Sequence, residues 1–224
     1  MNTFSRLEVI NTIIDQGLIP IFYHSDVNIS KKVLESCANG NSRLLEFTYW
    51  GRDAFDTFKE LSLHCKKVAP DFILGVGSVF EEQTAAIFIS LGANFIVSPF
   101  LNKKISKICN RRKVLYIPGC ATVTEISKAE EYGAELVKLY PGSFLGGPDF
   151  VKMIHGPMPW TRLVVTGGID PKEEKIIEWF NAGVEAVGIG SKIIRKDLYM
   201  NGDYPQISKN ISELLKLIKT LKTK

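Results

Sequence analysis

Eight short apolar runs alternate with helix-like segments along the chain, and this alternation limits the possible folds more than any other feature. The runs are almost continuously apolar, which is typical of strands that are covered on both faces. They are IPIFYH (19–24), RLLEFTYW (43–50), FILGVGS (72–78), NFIVSP (94–99), VLYIPG (114–119), ELVKLYPG (135–142), RLVVTGG (162–168) and EAVGIGS (185–191).

The segments between these runs have helical periodicity, and several end in a glycine, a common helix stop. They include residues 30–39, 53–68, 81–92, 122–133 and 172–183. Eight strands that alternate with helices in 224 residues predict a single α/β domain over residues 1–224, a parallel (β/α)8 TIM barrel. Periodicity alone also allows a doubly wound open sheet.

Two further helices flank the predicted barrel. We expect one over residues 2–16, where it can cover the barrel floor. The other is an amphipathic helix over residues 208–224, whose apolar stripe is expected to pack on the barrel exterior or on a neighbouring subunit. The segment 195–205 before it is expected to be a loop over the barrel mouth.

Composition and charge are those of an ordinary globular protein. Apolar residues make up 45% of the chain and charged residues 23%, and the net charge is only +4. Nucleic acid is therefore not an expected partner. The sequence has no apolar run near the ~20 residues that span a bilayer, so no membrane partner is expected.

The cysteines show neither paired nor metal-binding spacing. Since the N-terminal segment also carries Glu8 and Asp15, no secretory signal is expected. The sequence therefore predicts a cytoplasmic protein with reduced, structural thiols at Cys37, Cys65, Cys109 and Cys120.

Polar side chains and glycines collect at the ends of the predicted strands. In a parallel barrel these ends meet at one mouth, where catalytic groups lie. The positions are Glu46, Thr48, Ser78, Ser98, Pro99, Lys138, Thr166, Gly167, Gly168, Gly190 and Ser191.

Lys138 interrupts an otherwise apolar run, where a buried ammonium is costly. It can be an exposed strand residue, one half of a structural ion pair, or a nucleophile. A lysine amine in dry surroundings gives up its proton more readily and can then attack a ketone. Glu46 is then its expected companion, able to transfer protons after the Schiff base has formed.

The glycine pairs at the ends of the last two strands predict a phosphate site. TGGI (166–169) and GIGS (188–191) offer backbone N–H groups that side chains would otherwise crowd. In this fold the loops after strands seven and eight often bind phosphate.

The motifs are EFT (46–48), GVGSV (75–79), GANFIVSP (92–99), IPGCATVTE (117–125), VKLYPG (137–142), TGGI and GIGS. Their order resembles the KDPG/KHG aldolase family, a group of class I lyases, from about residue 18 to residue 193. The resemblance implies a TIM barrel, a homotrimer, a small-molecule keto-acid substrate and no metal or organic cofactor.

The resemblance also implies residue roles. Lys138 matches the Schiff-base lysine and Glu46 the general acid/base. Ser78 stands where the family usually has a threonine near the pyruvyl group, a change that keeps the hydroxyl. Pro99 matches a proline that lines the pocket, and Tyr140 replaces a phenylalanine beside the lysine. The phosphate region is matched by Thr166, Gly167, Gly168, Gly190 and Ser191.

Trp50 departs from the family pattern, since an arginine that binds the substrate carboxylate usually stands there. An indole offers one N–H donor and no charge, so it cannot replace a bidentate guanidinium. Arg52, two residues on, is the candidate substitute. Phe100 stands where a glycine is more usual.

The leading hypothesis is aldol cleavage of a 2-keto-3-deoxy sugar acid phosphate to pyruvate and glyceraldehyde 3-phosphate, or of 4-hydroxy-2-oxoglutarate to pyruvate and glyoxylate. A sugar-phosphate epimerase or isomerase on the same barrel is an alternative, and it would not need Lys138. A non-catalytic homologue that binds a sugar acid is another alternative, motivated by Trp50.

Overall fold

The strands of the barrel occupy all eight predicted segments. The computed structural model describes residues 4–223, so Met1–Thr3 of the predicted N-terminal helix and Lys224 at the end of the predicted domain lie outside the described residues. The strands are β1 (Leu18–Phe22), β2 (Leu44–Thr48), β3 (Ile73–Gly77), β4 (Phe95–Val97), β5 (Leu115–Ile117), β6 (Gly119–Cys120), β7 (Val137–Leu139), β8 (Leu163–Thr166) and β9 (Ala186–Ile189).

The helices surround these strands, and the five segments predicted as helical all contain one. They are α1 (Arg6–Gln16), α2 (Val27–Asn39), α3 (Ala54–Val68), α4 (Glu82–Ser90), α5 (Lys103–Arg112), α6 (Val123–Glu131), α7 (Gly147–His155), α8 (Glu173–Asn181), α9 (Lys196–Met200) and α10 (Tyr204–Lys222). The start of α6 shows the local cause: Thr122 accepts a hydrogen bond from the Glu125 backbone, and the Glu125 carboxylate accepts from the Thr122 backbone.

The fifth predicted strand is divided by Pro118 into β5 and β6, and the sheet closes into a barrel at this point. All neighbouring strands are parallel, in the order β5-β4-β3-β2-β1-β9-β8-β7-β6. Pro118 has no N–H to donate, yet its carbonyl accepts from the Lys138 backbone at 2.9 Å. Since β5 pairs with β4 and β6 pairs with β7, the two pieces close a (β/α)8 barrel. The predicted barrel is confirmed, and the alternative prediction of a doubly wound open sheet is wrong.

Helix α1 closes the floor of the barrel, as predicted. Its Val9, Ile10 and Ile13 are buried. They join one apolar cluster with side chains from the starts of the strands, including Ile19, Leu44, Ile73, Phe95, Leu115, Leu136, Val164 and Ala186. The opposite end of the barrel remains open to a cavity.

Helix α10 packs on the barrel exterior, as predicted, against α2 and α8. Its stripe of Ile207, Ile211, Leu214 and Ile218 is buried. The helix begins at Tyr204 rather than at residue 208, because Pro205 fits the first turn and the Asp203 carboxylate accepts from the Gln206 backbone. Among residues 4–223, none of the helices is long and apolar enough to cross a bilayer.

The segment 195–205 is not the loop that the sequence predicts. It contains the short helix α9 and the first residues of α10. The Tyr199 ring of α9 packs edge-on against Phe22, with the ring centres 5.3 Å apart, so this segment is anchored beside the mouth.

The four cysteines are free and buried, as predicted for structural thiols. Burial raises the pKa of the Cys65 thiol to about 11 and the pKa values of Cys109 and Cys120 to about 12. The thiolate form that reacts with oxidants is therefore scarce near neutral pH.

Candidate active site

A cavity of about 500 Å³ opens at the carboxyl ends of the strands. The structure brings together there most of the predicted site residues: Glu46, Thr48, Ser78, Pro99, Lys138, Tyr140, Thr166, Gly167, Gly168, Gly190 and Ser191. Two predicted residues do not line the cavity. Arg52 is exposed in the turn before α3, and Ser98 is fully buried, where its hydroxyl donates to the Phe100 carbonyl. Arg52 therefore does not take the place of an arginine at position 50.

Lys138 points into the barrel because side chains alternate along β7. Its neighbours Val137 and Leu139 pack in the outer core between strands and helices. Lys138 faces the other way, above Leu136 of the inner floor, and only 7% of its surface is exposed. Its Nζ atom lies 5.0 Å from the centre of the Tyr140 ring, whose π face stabilises a positive charge there.

Glu46 reaches the same interior from β2. Leu45 and Phe47 face the outer core and Leu44 the inner floor, so Glu46 lies above the floor, 3% exposed. Burial raises the pKa of the Glu46 carboxyl above its ordinary value, and the positive charge of Lys138 opposes part of that rise. A carboxyl with a raised pKa holds a proton more readily than an exposed glutamate, so it is better suited to return a proton that it has accepted.

The Glu46 carboxylate occupies the space that a side chain at position 77 would fill, and this position is a glycine. A Cβ atom on Gly77 would lie 1.8 Å from Glu46 Oε1, far closer than two atoms can approach. The carboxylate end of the glutamate can rotate away, so an added methyl group displaces the acid and spares the strand.

We therefore expect Gly77→Ala to lower kcat about 100-fold, since a displacement near 1 Å has this effect on a catalytic group. The melting temperature should stay close to that of the unmodified chain. Steady-state kinetics and calorimetry measure both, with Gly156→Ala as the control, because a Cβ there meets its nearest neighbour at 3.6 Å. Full activity in Gly77→Ala would show that the position of Glu46 does not matter.

Thr166 and the glycines after β8 and β9 form a polar wall. Thr166 Oγ1 is buried and has no hydrogen-bond partner among the described residues. Gly167 and Gly168 adopt φ values of 91° and 81°, which other residues rarely adopt. Thr166 pairs in register with Gly188, so the loop that begins at Gly190 lies next to this turn. The wall can donate several hydrogen bonds to one anion.

Trp50 forms the opposite wall with two hydroxyl-bearing residues. Its Nε1 atom donates to Ser78 Oγ at 3.2 Å. The Tyr23 ring packs edge-on against the indole, with the ring centres 6.2 Å apart. This wall offers neutral donors and aromatic surface.

Sequence reasoning missed three polar residues that line the cavity: Tyr23, Lys192 and Tyr199. Tyr23 directly follows β1, and Lys192 directly follows Ser191. Both could have been predicted, because polar residues at the ends of parallel strands lie at the barrel mouth. Tyr199 gave no such signal, because it belongs to the short helix α9 rather than to a strand end.

The chain matches a family model described as "KDPG and KHG aldolase" over residues 9–210. It is similar to the KHG/KDPG aldolase of Escherichia coli (strain K12), with 28% identity over 192 residues, 86% of this chain and 87% of the relative. It is also similar to the 2-dehydro-3-deoxy-phosphogluconate aldolase of Haemophilus influenzae, with 25% identity over 218 residues, 97% of this chain and 100% of the relative.

A solved structure shares the fold. The KDPG aldolase from Legionella pneumophila, with pyruvate captured as a covalent carbinolamine intermediate, superposes with a TM-score of 0.82. The match covers 91% of this chain and 96% of the other at 22% identity.

Proposed function

Because the chain belongs to the KDPG and KHG aldolase family and is a class I aldolase, an aldehyde-lyase, we propose that it acts on 2-keto-3-deoxy sugar acid phosphates through Lys138 and Glu46. The products are pyruvate and glyceraldehyde 3-phosphate. Cleavage of 4-hydroxy-2-oxoglutarate to pyruvate and glyoxylate belongs to the same proposal. The observation that carries it is a buried amine and a buried carboxyl that face one cavity from β7 and β2.

The first step is attack of the neutral Lys138 amine on the C2 carbonyl carbon of the substrate. The resulting carbinolamine takes up one proton from water, loses its hydroxyl as water and becomes an iminium ion, and the final hydrolysis returns that proton. The face of the Tyr140 ring, 5.0 Å from Nζ, favours the positive charge that develops on nitrogen.

The second step is cleavage of the C3–C4 bond. The Glu46 carboxylate accepts the proton of the C4 hydroxyl, directly or through a water, and the C4–O bond becomes the carbonyl of the leaving aldehyde. The electrons of the C3–C4 bond move to the iminium and give an enamine. Glu46 then returns its proton to C3, and hydrolysis of the iminium releases pyruvate and restores the amine.

The polar wall of Thr166, Gly167, Gly168, Gly190 and Ser191 is proposed to hold the phosphate at the far end of the substrate. Binding there fixes the reacting bond between Lys138 and Glu46, so that remote binding energy lowers the barrier. Ser78 and Pro99 are proposed to contact the pyruvyl end.

A pyruvate-release assay tests this function. The substrates are the gluconate and galactonate epimers of the 2-keto-3-deoxy acid phosphate, together with 4-hydroxy-2-oxoglutarate. We expect pyruvate from at least one phosphorylated epimer, in equal amount to the aldehyde. Failure of all three substrates with a folded protein would overturn the proposal.

We further propose that the chain is one aldolase domain and assembles as a homotrimer. Two exposed aromatic side chains support the assembly: Phe80 and Phe100 are 50% and 47% exposed, and their ring centres lie 5.9 Å apart beside the mouth. Sedimentation should give three times the mass of one chain, and a monomer would contradict the proposal.

The cytoplasm is the proposed location, because four free thiols suit a reducing compartment, and cell fractionation tests it.

A further inference from the structure

Lys192 is the second cation of the cavity. Among the described residues that line it, only Lys138 and Lys192 are basic. Lys138 is the reacting amine in the proposed mechanism. Once its nitrogen is bonded to C2 of the substrate, it is not available to bind an anionic group at the other end of the same molecule. An anionic group elsewhere on the substrate therefore meets a single side-chain cation, Lys192.

The loop after β9 holds Lys192 in place. The backbone N–H groups of Ile193 and Ile194 both donate to the Gly190 carbonyl at 3.0 Å. The two isoleucine side chains are buried, so they fix the turn, while the Lys192 side chain remains at the cavity mouth. The amine thus comes from a backbone that is anchored on both sides.

The ion pair between Lys192 and Asp170 is weak enough for a ligand to replace the aspartate. Its Nζ atom lies 3.9 Å from Asp170 Oδ2, and both side chains are more than a third exposed. Exposed ion pairs at such a distance contribute little. A phosphate that approached the amine more closely would form a stronger, charge-assisted hydrogen bond.

We propose that Lys192 binds the terminal phosphate of the substrate and sets the preference of the enzyme for phosphorylated over unphosphorylated tails. This inference rests on the proposed function and adds a side-chain cation to the polar wall. The Thr166 hydroxyl, which has no hydrogen-bond partner within residues 4–223, lies in the same cavity, so a neutral donor and a cation are both available to the phosphate.

The spacing of the strands agrees with this role. Lys138 is on β7 and Lys192 follows β9, and β8 alone separates these strands. Two strand spacings amount to about 10 Å. A six-carbon acid whose second carbon is bonded to Lys138 can extend its terminal phosphate across this span.

The test compares two acceptor aldehydes, glyceraldehyde 3-phosphate and glyceraldehyde, in condensation with pyruvate. Lys192→Met removes the charge and keeps an apolar stem, and Lys192→Arg keeps the charge. Lys196→Met is the matched control, since Lys196 is exposed and does not line the cavity. The quantity measured is the ratio of kcat/KM for the phosphorylated over the unphosphorylated acceptor.

We expect Lys192→Met to lower this ratio about 10-fold, mainly through KM, as is typical for loss of a hydrogen bond to a charged group. Lys192→Arg should recover most of the ratio, and Lys196→Met should match the unmodified chain. An unchanged ratio in Lys192→Met, or an equal loss with both acceptors, would overturn the inference. Borohydride trapping of pyruvate on the unmodified chain separates the two proposals, because pyruvate carries no phosphate: without trapping, the proposed function itself fails.

Discussion

Replacement of Lys138 by methionine is expected to lower kcat for aldol cleavage by at least about 10⁴-fold, because the substrate loses the amine that becomes its electron sink. Methionine fills a similar volume in the barrel interior, so the fold should persist. Pyruvate release under saturating substrate measures the loss, and circular dichroism checks the fold.

Lys138→Arg separates a covalent role from an electrostatic one. A guanidinium keeps the positive charge near Glu46 but cannot form the imine at neutral pH. We expect it to be as inactive as Lys138→Met, whereas the exposed-lysine variant Lys59→Met should behave like the unmodified chain. Activity within about tenfold of normal in Lys138→Met would rule out Schiff-base chemistry at this residue and favour an epimerase or isomerase.

Glu46→Gln has the second largest expected effect. An amide cannot accept the proton of the C4 hydroxyl, so kcat should fall about 10²-fold to 10⁴-fold. Pyruvate should still form an imine with Lys138, which distinguishes this variant from Lys138→Met. Single-turnover cleavage together with borohydride trapping measures the two steps separately. A loss of less than about tenfold in cleavage would contradict a proton-transfer role for Glu46.

The pH dependence follows from the direction of the Glu46 pKa shift. Burial raises this pKa in the folded protein, so the proton-accepting form is lost as the pH falls through a value above the ordinary ~4.3 of a glutamate. We expect the acid limb of the kcat profile to lie above that value and to vanish in Glu46→Gln.

The same shift affects stability with a defined sign. A carboxyl whose pKa is raised by folding stabilises the fold while it is protonated, and this contribution is lost as the pH rises through the raised pKa. Glutamine is neutral at every pH. Glu46→Gln should therefore raise the melting temperature more at about pH 8 than at about pH 5, and a larger gain at the lower pH would contradict the shift.

The barrel and the shared interior position of Glu46 and Lys138 could be predicted from the sequence, because both depend on local rules. Continuous apolar strands and alternating helices specify the barrel. The period of two along a strand explains why Glu46 and Lys138 share an interior: each stands two positions after a leucine of the inner floor, Leu44 and Leu136.

Other features depend on contacts between distant segments, which a single sequence does not display. The hydrogen bond from Trp50 to Ser78 joins the ends of β2 and β3 and fixes the indole as part of the cavity wall. Arg52 points elsewhere because the turn before α3 exposes it. Helix α9 was missed because five residues carry little periodic signal, and Tyr199 was missed with it.

Borohydride reduction in the presence of pyruvate, followed by intact-mass and peptide analysis, tests the central claim most directly. We predict one reduced pyruvyl group for each chain, attached to the peptide that contains Lys138, and no such adduct in Lys138→Met. No adduct, or an adduct on any other lysine, would contradict the account.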